Sequence, residues 1–239
     1  MPELVDKIAL VTGAGSGIGQ AVAVELARAG AHLALAGRSA EKLEGLAAML
    51  RGHGAHVMTL AGDLCDGAQR ARVVEQVLEH YSGVDVFVHA AGMAHAGGEH
   101  MDDALFRAMM DINVVAAHSL TRQLLPSLKE RKGQIAYINS RAGRIVVPEY
   151  AAYCASKFAL RAYADALREE LRPHGVRVVS VYPGKTDTPM LRGLLAEIGK
   201  TYEAEKYSRP VDVARVTVDA LLLPRHVEVP DLTIRPFED

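Results

Sequence analysis

This sequence has no block of like charge and almost no net charge: 27 basic against 29 acidic residues leave a formal charge of -2 at pH 7. Such a balance offers no basic footprint for nucleic acid or an anionic membrane. Long hydrophobic runs are also missing, and none reaches the ~18 residues that a membrane span requires. Only two cysteines occur, Cys65 and Cys154, far apart and outside any Cys-x-x-Cys pattern. Two reduced thiols in a cytoplasmic enzyme are expected rather than a disulfide framework. Ten histidines are present, yet His89, His95 and His100 show no metal-ligand spacing, so no metal is predicted. The short acidic start, Met1 to Lys7, is not expected to be a signal peptide.

What is present is a chain of 239 residues, 49% hydrophobic, enough for one large α/β domain. Short apolar runs alternate with helical periodicity from end to end. Strands are predicted at 8–11, 33–36, 57–60, 84–88, 134–138, 176–181 and 229–234. Helices are predicted at 20–29, 40–51, 69–81, from 102 or 103 to about 125, 151–172 and 211–223. Pro126 is expected to disturb the fourth helix. Residues 185–208 read as irregular with helical patches. Seven strands alternating with six helices predict an α/β fold: a single domain, 1–239, with a Rossmann-type doubly wound parallel sheet. Pro230 suits an edge strand. Ligands bind such sheets along the carboxyl edge, where this chain places its Gly, Ser and Pro residues.

Three stretches on that edge carry chemistry. The first is Gly13-Ala14-Gly15-Ser16-Gly17-Ile18-Gly19, between a strand and a helix. Glycines there let the backbone approach a pyrophosphate seated on the helix N-terminus. The strict Gly-x-Gly-x-x-Gly is absent; the pattern is Gly13-x-x-x-Gly17-x-Gly19. The second is Ala36-Gly37-Arg38-Ser39, at the end of the second strand, with no carboxylate to bond the ribose hydroxyls. Arg38 can pair with a 2′-phosphate and Ser39 can add a hydrogen bond, so NADP(H) is the expected cofactor, with NAD(H) the alternative. The third joins Ser140 to Tyr153 and Lys157. Four residues apart on a helix, the phenol and the ammonium share a face. A nearby positive charge is expected to lower the phenol below its ordinary value of about 10. The same spacing recurs at Tyr202 and Lys206, so the pair alone identifies nothing.

Together these motifs resemble the short-chain dehydrogenase/reductase family over nearly the whole chain. Thr12 to Gly19 matches its Thr-Gly-x-x-x-Gly-x-Gly loop, and Tyr153-Cys154-Ala155-Ser156-Lys157 its Tyr-x-x-x-Lys. Ser140, with Ala142 and Gly143, stands where the family has its catalytic serine. Asn113 matches the active-site asparagine. The resemblance implies that Tyr153 is the general acid/base, that Lys157 tunes it and bonds the nicotinamide ribose, and that Ser140 polarises the substrate oxygen. It implies that Asn113 holds a water linking Lys157 to solvent. It further implies cofactor contacts at Asp63, Leu64, Ala90, Ala91, Gly92, Pro183, Gly184, Thr186 and Thr188. A lid over the substrate is expected at 185–208, apolar through Met190, Leu191, Leu194, Leu195 and Ile198.

Two departures stand out. His89-Ala90-Ala91-Gly92 replaces the family's Asn-Asn-Ala-Gly, which predicts weaker ordering of the cofactor cleft. Val229 to Pro236 lacks the usual Gly-Gly, which puts the family's tetramer contact in doubt. Ala155, Ala159, Ala162 and Ala166 form a small-residue stripe, and the resemblance implies a homodimer or homotetramer. Arg141 and Arg144 are expected at the substrate mouth or in solvent, and His95 at the mouth. Cys154 is expected to pack rather than react.

The predicted function is interconversion of a carbonyl and a secondary alcohol by NADP(H)-dependent hydride transfer on a small molecule. Two rival classes stay open. One is a non-catalytic NADP(H)-binding sensor or scaffold, against which the Ser140, Tyr153, Lys157 and Asn113 set stands. The other is a sugar-nucleotide epimerase or dehydratase, which usually carries Gly-x-x-Gly-x-x-Gly and a larger C-terminal domain.

Overall fold

Strand β1 (Ile8–Thr12) is buried along its whole length, as a strand covered by helices on both faces must be. In the computed structural model, which describes residues 4–238, it lies near the middle of a seven-stranded parallel sheet. The strand order is β3-β2-β1-β4-β5-β6-β7, with β2 His32–Gly37, β3 Val57–Ala61, β4 Val86–His89, β5 Gln134–Ile138, β6 Arg177–Pro183 and β7 Asp231–Ile234. The chain winds outward from β1 to one edge, then returns to β4 and winds to the other. The crevice between the carboxyl ends of β1 and β4 is therefore the switch point where such sheets bind ligands.

Helices α1 (Gly17–Arg28), α2 (Ala40–Gly52) and α8 (Pro210–Leu222) cover one face. Their apolar sides meet Val11, Leu35 and Val88 through Val22, Leu26, Leu43 and Val213. The other face is covered by α3 (Gly67–Tyr81), α5 (Ala116–Glu130) and α6 (Ala151–Leu171), with Phe87, Tyr137, Leu120, Leu124 and Leu160 between them. Side-chain caps set several helix starts. Asp66 accepts from the Ala68 and Gln69 amides, so α3 begins two residues before the predicted Gln69. Pro230 stands just before β7, which is an edge strand as its proline predicts.

The predicted fourth helix is two helices joined by a wide turn. Helix α4 (Asp103–Met110) runs into a π-helical turn over Asp111–Val115, and α5 follows. The Ala116 amide bonds the Asp111 carbonyl, five residues back. Helix α5 continues through Pro126 to Glu130. Pro126 is exposed, so water can serve the carbonyl that its missing N–H leaves free. The expected irregular stretch 185–208 holds α7 (Pro189–Glu197) and a short 3-10 turn at Ala204–Lys206.

Candidate active site

Register aligns the site. Thr12 pairs with Ala36 of β2 and His89 of β4, so the glycine loop, Arg38 and the Ala90–Gly92 segment leave the sheet together. Gly13 takes φ +66°, and a Cβ there would stand 2.7 Å from the Ala90 carbonyl oxygen. A Cβ on Gly19 would collide with the Gly13 carbonyl oxygen. These two glycines let the loop fold onto both the β4 end and α1. Ser16 is the N-cap residue of α1 but makes no side-chain cap bond, and no acidic residue stands in the first turn. The N-terminal amides of α1 keep a free positive end, the environment an anion requires.

Gly15, Ile18 and Gly17 complete this cradle, with Thr188, the N-cap of α7, 3.1 Å from a Cβ position on Gly17. Arg38 is exposed and has no hydrogen bond or ion pair among the described residues, so its guanidinium is available to a phosphate. Ser39 is committed as the cap of α2, accepting from the Lys42 amide at 3.3 Å. Its hydroxyl hydrogen is still available to donate. Just after β3, Asp63 is exposed and accepts from the Cys65 amide at 2.9 Å. The residues present thus fit a dinucleotide with a phosphorylated ribose.

On the other side of the crevice, β5 leads into Ser140, which caps the 3-10 turn Arg141–Gly143 by accepting from the Ala142 amide at 3.1 Å. Gly143 is needed here because a Cβ would fall 2.6 Å from Asn139 Oδ1 and 2.8 Å from the Lys157 carbonyl oxygen. The turn therefore lies directly on α6, which carries Tyr153 and Lys157 a helical turn apart. Lys157 is 4% exposed, and its Nζ donates to the Ile138 carbonyl at 3.2 Å. That Nζ stands 5.8 Å from the centre of the Tyr153 ring. The Ser140 hydroxyl lies near enough to the Tyr153 phenol to favour its ionised form.

Burial governs the protonation of this pair. It pushes Tyr153 up to about 12, against a lowering influence from Ser140 and with a further small rise from Cys154. It pulls Lys157 down to about 8. The lowered phenol pKa expected from the sequence is therefore corrected: in the protein alone, desolvation dominates and the only lowering influence comes from Ser140. Tyr153 is a protonated donor at neutral pH, and Lys157 is mostly charged.

Asn113, fully buried in the π turn, is fully engaged through its side chain. Its Nδ2 donates to Met93 O and Ser156 Oγ, both at 2.9 Å, and its Oδ1 accepts from Met93 N at 2.9 Å. These three bonds fix the side-chain amide between the 93–98 segment and α6. Gly92 adjoins both groups, since a Cβ there would meet Asn113 Oδ1 at 3.0 Å and Lys157 Nζ at 3.7 Å. Across the cleft, Pro183 ends β6, Gly184 donates to the Ile234 carbonyl at 2.7 Å, and Thr186 is buried with its hydroxyl on the Gly184 carbonyl. Thr188 caps α7. Every predicted site residue therefore follows the carboxyl end of a strand or sits on the helix beside it.

Several working residues received no role in the sequence. Thr12 Oγ1 accepts from the Ala90 and Ala91 amides at 3.2 and 3.3 Å, which holds the segment lacking the second Asn. Asn139 ties the Ser140 amide to the Lys157 carbonyl. Ser156 links Asn113 to the Tyr153 carbonyl. Buried Arg70 holds Leu64, itself buried, by its carbonyl at 2.6 Å. Thr12, Asn139 and Ser156 adjoin the motif residues, and that adjacency is their only sequence signal.

Other expectations resolve differently. Arg144 faces neither mouth nor solvent alone: it lies 4.0 Å above the Tyr182 ring and pairs with Asp231 at 2.5 Å. Cys154 is buried and accepts from the Val147 amide, as a packing residue should. Both cysteines are free. Tyr202 and Lys206 share no helix; Tyr202 donates to Asp187 and Lys206 pairs with Glu203.

Comparison with known proteins agrees with this geometry. A sequence model described as short chain dehydrogenase matches residues 7–199. The glycine betaine reductase ATRR of Emericella nidulans is 36% identical over 98% of the chain, although the chain spans only 19% of that protein. The oxidoreductase SSP0419 of Staphylococcus saprophyticus is 35% identical, covering 99% of this chain and all of its own length. An alcohol dehydrogenase of Thermococcus sibiricus, solved in complex with 5-hydroxy-NADP, superposes with a TM-score of 0.89 at 30% identity, covering 98% of this chain and 97% of its own. The matched model, the full-length relatives and the shared parallel sheet lead to one conclusion: the chain belongs to the short chain dehydrogenase family.

Proposed function

We propose that the protein is an NADP(H)-dependent oxidoreductase that interconverts a small-molecule carbonyl and a secondary alcohol. The observation that carries this reading is the convergence of Tyr153, Lys157, Ser140 and Asn113 on one side of a crevice whose other side is a glycine cradle. The NADP-derivative complex of the Thermococcus alcohol dehydrogenase supports the cofactor class.

Gly13 to Gly19 and the α1 N-terminus would hold the pyrophosphate, Arg38 and Ser39 the 2′-phosphate, and Asp63 with Leu64 the adenine. Ala90, Ala91, Gly92, Pro183, Gly184, Thr186 and Thr188 would line the nicotinamide end. When bound, the cofactor supplies or accepts the hydride. Ser140 and Tyr153 hold the substrate oxygen between two hydroxyls. In reduction, the Tyr153 phenol gives its proton to that oxygen, and the nearby Lys157 ammonium stabilises the phenolate left behind. The Asn113 turn fixes the floor of the site, and its main-chain carbonyls offer a place for the water that returns the proton. Residues 185–208 cover the substrate with the apolar side of α7.

The test is a panel of ketones, aldehydes and secondary alcohols assayed with both nicotinamide cofactors. NADPH consumption with at least one carbonyl is expected. Tight NADPH binding without turnover on any member would favour the sensor or scaffold reading.

A further inference from the structure

Helix α7 ends on an acidic residue, Glu197, with no basic residue in its last turn. A carboxylate at a helix C-terminus is repelled by the negative end of the helix dipole. Glu197 therefore weakens α7 unless something outside the helix compensates. Two groups do. Its Oε1 lies 2.7 Å from His95 Nδ1, and its Oε2 accepts from the Ala96 amide at 2.9 Å. Both partners lie about a hundred residues earlier, in the segment that follows β4.

That segment is anchored to the catalytic elements at both ends. Met93 is held through both its amide and its carbonyl by Asn113. The Gly97 and Gly98 amides both donate to the Glu149 carbonyl at 3.0 Å, one residue before Tyr150. Burial, Glu149 and Glu197 all push the Tyr150 phenol upward. Helix α7 is thus fastened twice: its Thr188 end lies on Gly17 of the glycine loop, and its Glu197 end grips the 93–98 segment.

We infer that His95 and Glu197 form a clasp that holds the lid helix closed over the reaction centre, and that both are positioning residues for closure. The inference rests on the reading of 185–208 as a substrate lid. The clasp joins the lid to the segment that Asn113 fixes, so closure and the arrangement of the proton-transfer residues are mechanically linked. The pair is partly exposed, 35% for His95 and 36% for Glu197, so water competes for each bond. The clasp can therefore open without unfolding the sheet.

The experiment is hydrogen exchange on the full chain, read at the amides of residues 190–198, for wild type, Glu197→Ala, His95→Ala, the double variant and His95→Asn. Each single alanine variant should speed lid exchange by about three- to tenfold. The double variant should add no more, because both changes remove one clasp. His95→Asn places an N–H near the position of Nδ1 and should restore protection. Amides of β1, β4 and β5 should exchange as in wild type. In parallel, NADPH release followed by fluorescence should accelerate in both alanine variants. Lid exchange unchanged in either single variant, or effects that multiply in the double variant, would overturn the clasp. The exchange readout needs no turnover, so a chain that showed the clasp yet reduced no carbonyl would count against the proposed activity alone.

Discussion

Tyr153 and Lys157 illustrate how much a residue's chemistry depends on its solvent. Spacing alone suggests an ammonium that acidifies a phenol; the buried cleft does the reverse, raising the phenol to about 12 and lowering the amine to about 8. Reduction needs the phenol, which is present at neutral pH, whereas oxidation needs the phenolate. Rates of kcat/KM in the two directions should therefore diverge: alcohol oxidation rises toward alkaline pH while carbonyl reduction holds near neutrality. His89 gives a second pH signature. Burial, then the Lys157 charge, lowers it to about 3, against a raising influence from the Ile112 carbonyl. Below its unfolded value of about 6.5 the unfolded chain binds the extra proton, so stability is full above that pH and is lost as pH falls toward 3. Urea unfolding at pH 7 and pH 4 should show a drop that shrinks by about 3 kcal/mol in His89→Asn. An equal drop in both proteins would reject a buried neutral imidazole. The residues that carry motifs were legible from sequence because each needs its own side-chain chemistry. The protonation states were not, because they depend on how much of the fold surrounds them.

At the scale of elements, legibility followed the hydrophobic pattern. Six of the seven strands are largely apolar runs, the edge strand β7 alternates as Asp231-Leu232-Thr233-Ile234, and the sequence places each within a few residues. Pro126 misled, because proline marks a lost hydrogen bond but not whether water can replace it. Its exposed site predicts that Pro126→Ala raises the melting temperature by about 2–4 °C, as expected for about 1 kcal/mol in a chain of this size. A lower melting temperature would mean that the proline supports the helix packing. The π turn around Asn113 left no sequence signal, since a single widened turn does not alter the apolar stripe enough to be read. Arg38 belongs to this scale because the end of β2, not the arginine alone, brings it to the crevice. Arg38→Ala should weaken NADPH binding by about 10- to 100-fold in titration calorimetry and leave NADH binding nearly unchanged. Equal weakening of both would refute the 2′-phosphate contact.

Across the whole molecule, the sheet edge collects residues from positions 13 to 188 into one crevice, and no helix among the described residues is long and apolar enough to cross a membrane. The outer side of α6 is exposed at Ala155, Ala162 and Ala166, beside Phe158 at 38% exposure. Phe106 and Val115, on α4 and the π turn, are exposed as well. Small residues flanked by exposed apolar ones suit close approach of a second copy, and we propose a dimer through this face. Light scattering should give twice the chain mass, falling to one chain in Phe158→Glu; a wild-type monomer would reject the interface. Contacts such as His95 with Glu197 join segments far apart in sequence, and only the folded chain brings them together. The central claim is that a phenol at position 153 delivers the proton in a nicotinamide-dependent reduction. Single-turnover oxidation of bound NADPH by an accepted carbonyl, compared between wild type and Tyr153→Phe, tests it most directly. The account predicts a loss of at least about a thousandfold in rate with NADPH still bound, in line with removal of a general acid. A phenylalanine variant that oxidised NADPH at the wild-type rate would contradict it.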